Sequence, residues 1–201
     1  MTPKVSICVP TYKQVTYLEK CLNSILIQDL DDYEIVVTDD SPDNSVLELL
    51  KQYDFNGKLI YKKNIPALGS PQNWNAGFEL ASGKYIKILH HDDWFASKSS
   101  LREYVKLLDE NPTADFGFSA CIWVYPGDDK QKRMIPSAIQ ISKLRKSAAS
   151  IFPENFVSTP STIIIRNNGN KQFFDNNIKW LVDSEYYFRC LMQNGHFAYT
   201  D

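Results

Sequence analysis

The chain has 201 residues, enough for one domain with a sizeable core. Hydrophobic residues make up 43% and charged residues 23%, which excludes an intrinsically disordered chain. With 22 basic against 24 acidic residues the net charge is −2, so no basic excess points to nucleic acid or an anionic membrane.

Val5-Ser6-Ile7-Cys8-Val9-Pro10 predicts a first strand, ended by proline. The apolar run at this end is too short for a signal peptide, and no run reaches the roughly 18 apolar residues of a membrane span. After Thr11-Tyr12-Lys13-Gln14 comes a helix. Thr16 and Glu19 fit a capping box, and Leu18, Cys21, Leu22, Ile25 and Leu26 form its apolar face. Tyr33 to Thr38 predicts a second strand, which runs into Asp39-Asp40-Ser41-Pro42-Asp43. That turn feeds a helix with Val46, Leu49, Leu50 and Tyr53 inward. Leu59 to Lys62 is a short third strand. A loop from Asn64 to Gln72 is broken by Pro66, Gly69 and Pro71. The helix that follows, from about Pro71 to Leu80, stops at Ser82-Gly83. Tyr85-Ile86-Lys87-Ile88-Leu89-His90-His91-Asp92-Asp93-Trp94 then starts as a buried strand and ends in two adjacent carboxylates. Asp is a poor strand former, so this fourth strand is predicted to end near His90.

The second half is less regular. Leu101, Tyr104, Val105 and Leu108 mark a helix ended by Asn111-Pro112. Phe116 to Tyr125 predicts one long strand, and Pro126 to Lys132 a polar turn. The stretch from about Met134 to Pro153 stays open between a helix and a mobile loop. Ser161 to Arg166 is another strand, and the asparagine-rich Asn167 to Asn177 a loop. From Trp180-Leu181-Val182-Asp183 the chain enters a helix through Leu191, stopped by Asn194-Gly195, and a last strand spans His196 to Thr200.

Four alternations of strand and helix predict an α/β fold, with a mostly parallel central sheet and helices on both faces. Polar, acid-bearing segments follow strands one, two and four, so all three converge on the sheet edge where such folds bind ligands. Asp92 and Asp93 repel each other and are hard to desolvate unless a cation neutralises them, as a hard divalent ion would. The competing reading is a solvated acidic turn before a helix. Cys8, Cys21, Cys121 and Cys190 lie far apart with no C-x-x-C. They read as buried free thiols of a reducing compartment rather than as disulfides or a zinc site. A cytoplasmic location follows, at large or at the cytoplasmic face of the membrane.

Five segments occur in a set order: Val5 to Tyr12, Val36-Val37-Thr38-Asp39-Asp40-Ser41, Gly69 to Gly77, Leu89 to Asp93, and Trp180 to Asp183. The ordered set resembles the family 2 glycosyltransferases, the large inverting group with the GT-A fold, from about residue 4 to the end. The resemblance implies a single domain over 1–201, with a nucleotide-binding half (1–95) and an acceptor and catalytic-base half (96–201). It implies a nucleotide-diphosphate sugar donor, usually a UDP-sugar, with Mn2+ or Mg2+ as cofactor. The acceptor would be a saccharide or lipid-linked saccharide in cell-surface or capsular polysaccharide synthesis. Family members commonly continue past the last strand, so the chain reads as a catalytic domain open to continuation.

Residue by residue, the resemblance places Pro10, Thr11 and Tyr12 beside the nucleobase and Asp40 on the uracil N–H. It sets Asn75 near the nucleotide and Asp92 at the ribose or a metal-bound water, with Asn73 a weaker candidate. Asp93 becomes the metal ligand and Asp183 the general base. Each has a plainer alternative: Tyr12 as a core aromatic, Asp39 and Asp43 as turn or cap residues, Asp183 as a helix N-cap. Glu185 competes for the base. His90 stands where an acid is frequent, Lys13 where Asn is, and Val182 in place of a Glu. A zinc site of His90, His91 and the acids is a further reading, disfavoured because neighbouring strand residues point to opposite faces. Two other functions compete. One is a non-catalytic nucleotide- or sugar-binding domain, against which Asp93 and Asp183 together argue. The other is a nucleotidyltransferase, which would want a glycine-rich loop after strand one where Thr11 to Val15 has no glycine.

Overall fold

The protein is described by a computed structural model covering residues 2–125, 127, 130–169 and 173–201. Pro126, Asp128 and Asp129 of the predicted polar turn, and Asn170 to Gln172 of the asparagine-rich loop, lie outside the described residues.

β1 (Val5–Thr11) is buried along its whole length and forms the axis of the sheet. Its side chains alternate between the two faces, as a strand must. Val5, Ile7 and Val9 join one core cluster, with α1 (Val15–Leu26), α2 (Ser45–Leu50) and α4 (Ser100–Asp109). Cys8 joins the other, with α3 (Gln72–Leu80), α5 (Ala138–Lys146) and α6 (Val182–Asn194). Each fully buried Val or Ile contributes roughly 1.5–3 kcal/mol, so this strand anchors both layers.

On one side of β1 lie β2 (Tyr33–Asp39) and β3 (Leu59–Lys63), both parallel. On the other lies β4 (Tyr85–Ile88), parallel to β1. β8 (Ile163–Arg166) is inserted antiparallel between β4 and β5 (Phe116–Ser119), and β9 (Phe197–Thr200) closes the edge parallel to β5. The order is β3-β2-β1-β4-β8-β5-β9. The sheet is mostly parallel with helices on both faces, as predicted.

Three local expectations are corrected, and the stretch left open between a helix and a loop is settled. The long strand from Phe116 breaks at Ala120. β6 (Cys121–Val124) leaves the main sheet and pairs antiparallel with β7 (Gln131–Met134). Within the undecided stretch lies α5, held by a capping box between Ser137 and Gln140. Thr16 and Glu19 form no such box: α1 begins after Gln14, which has a left-handed backbone and no side-chain cap. The fourth strand ends at Ile88, two residues early; Leu89 N–H still donates to the Cys8 carbonyl of β1 at 2.9 Å, and the chain then turns at His91 and Asp92.

Gly83 also has a different role from the helix stop expected of it, since α3 ends with Ala81 in extended backbone. A Cβ on Gly83 would meet Ser6 N at 2.6 Å and Val5 C at 2.8 Å. Glycine is needed there for close approach to β1. Gly83→Ala should therefore push the loop off the start of β1 and destabilise by about 1–3 kcal/mol in urea unfolding. An unchanged midpoint would show that the loop yields freely.

Candidate functional site

β1 connects outward to β2 and β3, whereas β4 connects to the other half of the sheet. Where connections diverge between neighbouring parallel strands, a crevice opens beyond their C-terminal ends. A cleft of about 390 Å³ lies there. It is lined by Pro10, Thr11 and Tyr12 after β1, Asp40 after β2, the 67–70 loop, Asn73 and Trp74 on α3, and His90, His91 and Asp92 after β4. That is a ligand-sized space. A second cavity, of about 30 Å³ beside Phe78 and Arg166, holds room for little more than water.

Tyr12 is 50% exposed and lines the cleft, so it is not a core aromatic; the Lys13 ammonium lies 4.9 Å from its ring centroid. Lys13 and Gln14 follow at φ 56° and 52°. Asn tolerates that left-handed backbone better than Lys does, which accounts physically for the Asn expected at position 13. The turn is held by Lys13 N–H donating to Ser41 Oγ at 2.7 Å.

The paired acids after β2 divide their work. Asp39 is fully buried and structural. Burial pushes its carboxyl up, but hydrogen bonds from Ser41, Lys63 and Tyr61 outweigh this and hold it below the ordinary range. Asp40 lines the cleft. Its carboxylate accepts from Asn64 Nδ2 at 2.8 Å, Leu68 N at 3.1 Å and Gly69 N at 2.7 Å, which shapes the 64–69 loop. An ionised carboxylate has about four acceptor positions, so one remains for a ligand. Asp43 accepts from Ser45 N and Oγ, the turn role expected of it.

Asn73 lines the cleft and donates to the Thr11 carbonyl at 3.1 Å. Asn75 points elsewhere. Its amide donates to the Phe174 carbonyl at 2.8 Å and to Asn176 Oδ1 at 3.0 Å, and accepts from Phe174 N at 2.8 Å. It does not line the cleft.

After β4, residues 90–93 fold back on themselves, with Asp93 N–H donating to the His90 carbonyl at 2.9 Å. One ring nitrogen of His90 and one carboxylate oxygen each of Asp92 and Asp93 lie within 4.8 Å of one another. His91 is outside this cluster, its Nδ1 3.1 Å from the Pro10 carbonyl, so a zinc site using both histidines is not formed. Ligands around one divalent ion lie about 3–4.4 Å apart, so small side-chain shifts suit the trio to a metal. Burial pushes the Asp93 carboxyl up, opposed by a hydrogen bond from Ser161. Burial pulls the His90 imidazole down to about 4, leaving it neutral.

Lys87, in the middle of β4, is fully buried. Its ammonium donates to the Ile88 carbonyl at 2.8 Å and to the Ser161 carbonyl, and faces the Tyr104 ring at 4.5 Å. Burial pulls it down to about 7, with Asp93 pulling the other way. Ser161 Oγ in turn accepts from His90 N at 2.9 Å.

Asp183 sits in the first turn of α6 and is not its cap. Leu181 takes the cap position, left-handed at φ 56°. Asp183 Oδ2 accepts from Asn155 Nδ2 at 2.8 Å. Asn155 also donates to the Ser158 carbonyl at 3.1 Å. Residues 155–161 thus run from Asp183 to the His90–Asp93 turn. Glu185 is committed to Arg189 through a two-pronged ion pair, with Nη2 to Oε2 at 2.9 Å.

Sequence reasoning missed Lys87, Ser161, Asn155 and Trp74. Only Lys87 left a signal, as a charge inside a run otherwise apolar from Tyr85 to Leu89.

Fold and cleft together define an α/β domain with a ligand-sized cleft at its switch point and carboxylates at the rim. The chain belongs to glycosyl transferase family 2, which matches residues 6–174. It is 28% identical over 201 residues to the uncharacterized glycosyltransferase MJ1057 of Methanocaldococcus jannaschii, covering 97% of this chain and 67% of that one. Over 105 residues it is 30% identical to the poly(ribitol-phosphate) beta-glucosyltransferase of Bacillus spizizenii, covering 50% of this chain and 17% of that one. Among solved structures, S. aureus TarS 1-349 in complex with UDP-GlcNAc superposes with a TM-score of 0.75 at 22% identity, over 98% of this chain and 57% of that one. The fold is the GT-A fold of glycosyltransferases. No helix among the described residues is long and apolar enough to cross a membrane.

Asn75→Ala tests the structural part of this assignment. It strips the buried Phe174 N–H and carbonyl of their partners, at roughly 1–3 kcal/mol for each group. Chemical unfolding should register that loss while UDP affinity, by calorimetry, changes little. Intact stability with lost UDP affinity would instead put Asn75 on the nucleotide.

Proposed function

We propose that the domain transfers a sugar from a UDP-sugar to a hydroxyl of a saccharide or lipid-linked saccharide, with inversion, in the synthesis of a surface polysaccharide. The observation that carries this reading is the 155–161 segment, which links Asp183 through Asn155 to Ser161, and Ser161 to the turn bearing Asp92 and Asp93. A candidate base and a candidate metal cluster are thereby tied to one short piece of chain.

In this reading the base stacks against Tyr12, and Asp40 accepts the uracil N–H at its remaining acceptor position. Pro10 and Thr11 form the floor. Asp92, exposed at the cleft, reaches the ribose or a metal-bound water. Asp93, held by Ser161, would hold the divalent cation, Mn2+ or Mg2+, whose charge would offset that of the diphosphate leaving group. Asp183 accepts the proton of the acceptor hydroxyl. The acceptor oxygen bonds to the anomeric carbon as that carbon's bond to the diphosphate oxygen breaks, so UDP leaves from the opposite face. Asn155 fixes the Asp183 carboxylate. The surface-polysaccharide context is supported by the likeness to the poly(ribitol-phosphate) glucosyltransferase. Four cysteines, none of them in a disulfide, fit a reducing, cytoplasmic setting.

The isosteric Asp183→Asn removes the base and leaves the first turn intact. In the full-length protein it should lower turnover about a hundredfold or more, while UDP affinity survives. Glu185→Gln should cost far less, since Glu185 is spent on Arg189. Near-normal turnover in Asp183→Asn would place the base elsewhere.

A further inference from the structure

A nitrogen donor stands among the carboxylates of the cluster, where oxygen alone would suit any hard divalent ion. His90 Nε2 is buried and has no hydrogen-bond partner among the described residues. Such an atom is costly unless something fills its lone pair or takes its proton. The ring is instead oriented by packing, with Trp74 at 4.7 Å between centroids, and by its own backbone N–H on Ser161 Oγ at 2.9 Å. His91, next in the chain, has a partner in the Pro10 carbonyl and stays outside the cluster.

Strand alternation would send His90 and its neighbours to opposite faces. It does not apply here, because β4 ends at Ile88 and the turn closed by Asp93 N–H gathers residues 90, 92 and 93 on one side. An imidazole with a buried, unused Nε2, one of whose ring nitrogens lies within 4.8 Å of two carboxylate oxygens, completes a mixed nitrogen and oxygen donor set. Mg2+ favours oxygen ligands and keeps its waters, whereas imidazole suits the first-row transition metals.

We propose that His90 is itself a ligand of the divalent cation, and that it biases the site toward Mn2+ and its first-row neighbours over Mg2+. This rests on the reading of Asp93 as a metal ligand and adds the class of metal to it.

The test is Mn2+ added to the whole protein, alone and then with UDP. Electron spin-echo envelope modulation is recorded on unlabelled protein and on protein carrying ¹⁵N-histidine. A ¹⁴N coupling that changes to a ¹⁵N pattern on labelling is expected, lost in His90→Asp and kept in His91→Asn. By calorimetry with MnCl2 and MgCl2, the ratio of Mn2+ to Mg2+ affinity should fall about fivefold or more in His90→Asp. Bound Mn2+ without nitrogen coupling, or an unchanged ratio, overturns the role of His90 and leaves the metal reading of Asp93 standing. No Mn2+ binding with or without UDP overturns both. Should His90→Asp fail to fold, the labelled His91→Asn protein still decides: coupling kept there supports His90, and coupling lost there overturns its role.

Discussion

A single buried ammonium ties the site together. Lys87 lies in the β4 segment that pairs with both β1 and β8, and its Nζ reaches past the end of β4 to the Ser161 carbonyl. Burying a charge is expensive unless hydrogen bonds and nearby charge compensate. Here two carbonyls, the Tyr104 ring and the field of Asp93 do so. The benefit is positional. Ser161 is fixed, and with it the two groups its hydroxyl serves, the His90 backbone and the Asp93 carboxylate. Without that anchor, the 155–161 segment would keep its tie to Asp183 and lose its tie to the acids.

The site is divided between rigid and adaptable parts. Its floor is strand ends in a close-packed sheet: Thr11 is 1% exposed, Asp39 is fully buried, and β4 is buried throughout. Its walls are loops shaped by polar contacts, chiefly Asp40 gripping the 64–69 loop. Sites built this way keep reacting groups in register while the walls adjust to a ligand. Asp183 takes its precision from a helix start and one side-chain contact.

Much of this was legible in the sequence, for identifiable reasons. β1, β2 and β4 are short apolar runs closed by proline or acids, so both their existence and the polar residues at their ends could be read. The order of the strands could not. β8 enters antiparallel between β4 and β5 because of contacts some 45 to 80 residues apart, which no local pattern records. The break at Ala120 is equally silent, since Cys121 to Val124 is as β-prone on a two-stranded ribbon as in the main sheet. Asn75 and Asn73 are indistinguishable as letters. One faces the cleft, and the other is turned into Phe174 by the helix, since residues two apart on a helix do not share a face. The capping box at Thr16 failed because the left-handed Lys13 and Gln14 place the helix start before it. The acids at strand ends were readable; the contacts that support them, from Lys87, Ser161 and Asn155, were not.

The central claim is that segments following β1, β2 and β4 form one uridine-nucleotide site at the switch point. Hydrogen–deuterium exchange of the whole protein with UDP and Mn2+, against ADP and GDP with Mn2+, tests it most directly. The account predicts that UDP protects amides in residues 10–14, 40–41, 67–74 and 90–94 together, and that ADP and GDP protect them less. Equal protection by all three nucleotides, or protection centred on other residues, would contradict it.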